Sequence, residues 1–122
     1  MADLPKVKYS GKIREIKIGK PGCEVSLGGE TAYSFYSFEG KLSHAPKLAL
    51  QVLDIKPEEW AAEALEPYKD VIGDPVAWAK KCVDVYKADV VCLWLQGVDP
   101  NGQNLSAEHA AETAKKVAEA IN

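Results

Sequence analysis

The chain has 122 residues, 47% apolar and 27% charged, which suits one modest soluble domain with a core of its own and excludes a disordered segment. A formal net charge of -3, with the lysines scattered among carboxylates, leaves no basic stripe for nucleic acid or an anionic membrane surface. No apolar run approaches the roughly 20 residues a membrane-spanning helix needs, and the first residues, Met1 to Lys6, carry no signal-like apolar stretch, so a cytoplasmic protein is expected.

In chain order the first predicted element is a β-hairpin. Ile13, Ile16 and Ile18 sit among Lys12, Arg14, Glu15 and Lys17, and Cys23, Val25 and Leu27 alternate with Glu24 and Ser26. Gly19-Lys20-Pro21-Gly22 lies between them, so two half-buried antiparallel strands are expected. Gly28-Gly29 ends the second strand; without phosphate-loop spacing or a following helix it reads as a turn. Thr31 to Glu39 is the most aromatic stretch, and Tyr33, Phe35, Tyr36 and Phe38 either pack against the domain or stack on a planar ligand or partner. Gly40 to Pro46 is a loop carrying His44, which has no second imidazole or thiolate at zinc-ligand spacing.

Leu48 to Leu53 reads as an apolar strand ending at Asp54, and Pro57 as the start of a short helix that Pro67 stops. Asp74 followed by Pro75 is an N-cap and first-turn pair. It opens a helix whose apolar face carries Val76, Ala79, Val83 and Tyr86, with Trp78, Cys82 and Val85 beside it. Val90 to Leu95 is apolar without interruption, the pattern of a parallel strand covered on both faces. It ends in the polar turn Gln96-Gly97-Val98-Asp99-Pro100-Asn101-Gly102. Ser106 then caps a last helix with Ala110, Ala114, Val117 and Ile121 on one face; His109 reads as a solvated residue of its first turn. Cys23, Cys82 and Cys92 are dispersed and odd in number, two of them on core-like elements, so reduced and buried thiols are expected.

The expected fold class is α/β. An N-terminal hairpin and aromatic segment (residues 1–46) precede two strand-helix units (residues 47–122) of the kind that build a (β/α) barrel. Right-handed crossovers would put both helices on one side of two parallel strands. Parallel folds of this kind keep functional groups at the carboxyl ends of their strands. That rule selects Asp54 after the first strand and Gln96, Asp99 and Asn101 after the second. Asp54 and Asp99 have a second reading, as groups that only tighten their turns.

Five ordered motifs resemble a known family. They are the Gly28-Gly29-Glu30 turn, the aromatic stretch ending Phe38-Glu39-Gly40, and the strand ending at Asp54 ahead of Pro57 and Trp60. The others are the helix start Asp74-Pro75-x-x-Trp78-Ala79-x-Lys81-Cys82 and the turn Asp99-Pro100-x-Gly102 followed by Ser106. In this order they resemble the N-terminal part of the small (delta) subunit of the corrinoid iron-sulfur protein in the carbon monoxide dehydrogenase/acetyl-CoA synthase, or acetyl-CoA decarbonylase/synthase, system.

The resemblance implies a TIM barrel paired with a large subunit that carries the corrinoid and a [4Fe-4S] cluster. The pair would carry methyl groups between a methyl-pterin and acetyl-CoA synthase. On this reading the chain is a non-catalytic structural subunit, or a fragment of one. The corrinoid (cobalamin) is held mainly by the large partner, with Asp54, Gln96, Asp99 and Asn101 as candidate contacts and no metal ligands of its own. Three dispersed cysteines fall short of the four thiolates a cluster requires. Two alternatives stay open: a methyl-pterin-binding, methyltransferase-like domain, and a stand-alone interaction module working through Tyr33 to Phe38. A closed barrel takes about 250 residues and eight units, so the chain is either a fragment or a shortened relative. A shortened relative would have to cover its sheet edges by self-association.

Overall fold

Apolar alternation on either side of a Gly/Pro turn produces the first pair of strands. β1 (Ile16–Ile18) and β2 (Val25–Leu27) run antiparallel, with Ile16 opposite Leu27 and Ile18 opposite Val25. The turn needs glycine at position 19, where φ is 117° and a Cβ would lie 2.6 Å from the Cys23 carbonyl oxygen. The computed structural model describes residues 10–33 and 40–121. These fall into two compact units, Met1–Lys47 and Leu48–Asn122. Phe35, Tyr36 and Phe38 lie outside the described residues; Tyr33 lies within them and is exposed.

In the first unit the loop after residue 40 is tied back to the hairpin. Ser43 Oγ donates to the Gly29 carbonyl at 2.9 Å, and His44 Nε2 lies 3.2 Å from Glu15 Oε1. The His44 contact, followed by Lys12, holds the Glu15 carboxyl below the usual carboxylate range. The expected half-burial of β1 is corrected: Ile16 is 46% exposed and Ile13 and Ile18 are exposed with it. A two-stranded ribbon has too little surface to bury its own apolar side chains.

The second unit is built on two parallel strands, β3 (Ala49–Leu53) and β4 (Val90–Trp94), in the register Ala49 opposite Val90 through Leu53 opposite Trp94. Asp89 fixes where they start. Its backbone N–H donates to the Leu48 carbonyl at 2.9 Å, and its carboxylate accepts from the Leu48 N–H at 3.0 Å. Between the strands come the short helix α1 (Ala62–Leu65), a 3-10 turn over Glu66–Tyr68, and α2 (Pro75–Asp84); α3 (Ala107–Ala120) follows β4. α2 packs against both strands and against α3.

Asp74 caps α2 as its sequence requires, its Oδ1 accepting from the N–H groups of Val76 and Ala77, each at 3.0 Å. The Ser106 hydroxyl accepts from His109 N–H at 3.2 Å at the head of α3. The first helix differs from expectation: the chain from Pro57 stays non-helical until Ala62, and Pro67 lies inside the 3-10 turn instead of ending a helix. No side chain caps α1, which explains its brevity.

The core of this unit gathers Val52, Leu53, Trp78, Ala79, Cys82, Ala88 and Val117, with Leu50, Val91 and Leu93 packed against it. Trp78 is its centre, meeting Trp60 edge-on at 6.0 Å and Tyr68 at 5.2 Å between ring centroids. The buried stripe of α2 is Trp78, Ala79 and Cys82. Tyr86, expected on that face, falls beyond the helix end at Asp84, and left-handed Lys87 (φ 55°) turns the chain so that Ala88 N–H reaches the Cys82 carbonyl at 3.0 Å.

Two further expectations are corrected. β4 is not covered on both faces: Leu50, Val52, Val91 and Leu93 face the core, whereas on the other side Ala49, Gln51, Cys92 and Trp94 are exposed, Val90 is half-buried and Leu53 is buried. Accordingly only Cys82 of the three free cysteines is buried, Cys23 and Cys92 being exposed. The packing that raises the Cys82 thiol pKa is burial among apolar side chains. Among the described residues no helix is long and apolar enough to cross a membrane.

Candidate functional site at the strand ends

The carboxyl ends of β3 and β4 are locked together by Asp54. Its backbone N–H donates to the Trp94 carbonyl at 3.3 Å, continuing the sheet by one residue. Its side chain, only 8% exposed, turns across the gap, and its two carboxylate oxygens accept from Gly97 N–H at 3.0 and 3.1 Å. A buried carboxylate needs such a donor, because desolvation without one is costly. Gly97 is needed for this approach: a Cβ there would sit 2.8 Å from Asp54 Oδ2, 2.8 Å from Leu105 Cδ1 and 3.1 Å from Ile55 Cγ2.

From that anchor the turn builds itself. Gln96–Val98 forms a single 3-10 turn, and Asp99 N–H closes on the Gln96 carbonyl at 3.1 Å. Asp99 Oδ1 accepts from Asn101 N–H at 2.8 Å, and the Asp99 carbonyl accepts from the N–H groups of Gly102 and Asn104, each at 3.0 Å. Leu105 N–H then returns to the Gly97 carbonyl at 2.9 Å and delivers the chain to α3.

A groove of about 350 Å³ opens beside this turn, lined by the Ile55–Trp60 segment together with Trp94, Gln96, Asp99, Gly102 and Gln103. Of the four residues selected from sequence, the structure therefore brings Gln96 and Asp99 to one groove. Asp54 lies beneath the turn with its carboxylate engaged by Gly97, and Asn101 stands at the tip, its backbone held by Asp99. Sequence reasoning missed Trp60, Trp94 and Gln103 as lining residues. Trp94 gave the misleading signal of a core strand, although it is 51% exposed at the strand's end.

The groove can hold a flat or partly apolar group against indole surface, with amide and carboxylate side chains for its polar edge. Glu58, Glu59 and Asp99 face a single ammonium, Lys56, so the lining carries net negative charge and does not favour an anionic ligand. Its volume lies at the small end of the roughly 300–1,000 Å³ typical of ligand sites. A corrinoid does not fit as a group held by these residues alone. The groove is too small to enclose the macrocycle, and the second unit's own imidazole, His109, lies in the first turn of α3 and not in the lining. Among the described residues no group of His, Cys, Asp and Glu side chains is arranged to hold a metal ion.

The family model for the CO dehydrogenase/acetyl-CoA synthase delta subunit matches residues 15–122, from the start of the hairpin through α3. The chain belongs to this delta-subunit family. It is 34% identical to the acetyl-CoA decarbonylase/synthase complex subunit delta of Archaeoglobus fulgidus, over 95% of this chain and 27% of that protein. The subunit delta of Methanocaldococcus jannaschii is 32% identical over 97% of this chain and 30% of its own length. For that of Methanothermobacter thermautotrophicus the figures are 31%, 93% and 29%. The chain thus spans about three-tenths of the curated relatives it matches. The delta-subunit family match includes the hairpin and all four selected strand-end residues, so both units belong to one family segment.

Proposed function

We propose that this chain is the N-terminal segment of a delta subunit and serves as a non-catalytic structural part of an acetyl-CoA decarbonylase/synthase complex. In that role it sits beside a large subunit carrying the corrinoid and a [4Fe-4S] cluster, and helps to cover the methyl-carrying corrinoid between a methyl-pterin and acetyl-CoA synthase. The observation that carries the reading is the parallel β3–β4 pair, packed along one face and largely open on the other, where Ala49, Gln51, Cys92 and Trp94 are exposed and Leu53 alone is buried. Parallel sheets are stable when covered on both sides, and relatives more than three times as long have the chain to do it. We take the open face, with Ala49, Gln51, Cys92 and Trp94, as the lumen side of a (β/α) barrel whose remaining units lie in the longer polypeptide. The test is co-expression of the longer delta polypeptide with its large corrinoid subunit, followed by size-exclusion chromatography. Co-elution at a defined stoichiometry is expected; separate elution of two folded proteins would overturn the reading.

One observation favours a second reading, a domain that binds the methyl-pterin directly. Trp60 and Trp94 offer ring surface at the strand ends, and Gln96, Asp99 and Gln103 offer hydrogen-bonding groups beside it. Equilibrium dialysis of the delta polypeptide against a methyl-pterin decides it: retention that Trp94→Ala abolishes supports binding, and no retention by a folded protein removes this reading.

A further inference from the structure

We draw no further inference here: the strongest candidate, the apolar face of the hairpin formed by exposed Ile16 and Ile18 with half-buried Val25 and Leu27, is a surface for which nothing among the described residues shows what covers it.

Discussion

A side chain added at position 97 would meet the Asp54 carboxylate, Leu105 and Ile55 at once. The neighbours are a buried hydrogen-bonded group and two branched apolar side chains, which cannot all give way. Gly97→Ala is therefore expected to cost about 1–3 kcal/mol, the usual penalty for overpacking. Urea unfolding should show a lower midpoint at an unchanged slope, and a wild-type midpoint would show that the turn can relax. Asp54 itself illustrates how far a sequence carries at this scale. Its place after an apolar strand is enough to locate it at the end of β3. That its carboxylate is engaged by Gly97, 43 residues on, depends on the register between β3 and β4, which no local pattern contains. The reading of Asp99 as a turn-tightening group describes its bond to Asn101, while its position at the groove keeps the ligand reading open.

Elements with local signals are where sequence and structure agree. Asp74-Pro75 begins α2 because one carboxylate oxygen meets two otherwise unpaired N–H groups, and Ser106 begins α3 through the same chemistry. α1 lacks such a cap and begins at Ala62, five residues after the proline that the sequence offers as a start, since a proline permits a first turn without requiring one. The continuous run Val90 to Leu95 was legible as a strand but not as one with an open face. Apolarity on both sides of a strand does not tell which face the elements around it cover. The loop clasp of His44 on Glu15 was not legible either, as it joins positions 29 residues apart. It gives a prediction at this scale. Because the Glu15 pKa is lowered in the folded chain, chiefly by His44, the clasp contributes above the ordinary carboxylate range and is lost as pH falls through the folded value. His44→Ala should raise the Glu15 pKa toward its ordinary range in an NMR titration, leaving only the weaker Lys12 contact. A Glu15 titration that does not move would assign the effect to Lys12 alone.

At the scale of the molecule, family membership and the open sheet face point the same way. The second unit has a core centred on Trp78 and one finished surface, formed where α2 and α3 meet. Its other surface carries a half-exposed tryptophan and a free thiol on a parallel strand, an arrangement that water does not favour. The three cysteines offer a direct probe of what becomes of that surface, because they sample it and its controls. Cys23 is exposed in the hairpin unit, Cys82 is buried in the core, and Cys92 lies on the open face. The decisive measurement is thiol alkylation read by mass spectrometry, on the dilute 122-residue chain and on the longer delta polypeptide under the same native conditions. The barrel account predicts that Cys92 reacts as readily as Cys23 in the short chain and is protected in the longer one, while Cys82 is protected in both. Equal reactivity of Cys92 in the two proteins would contradict it, because the face would then remain open to water in the complete subunit.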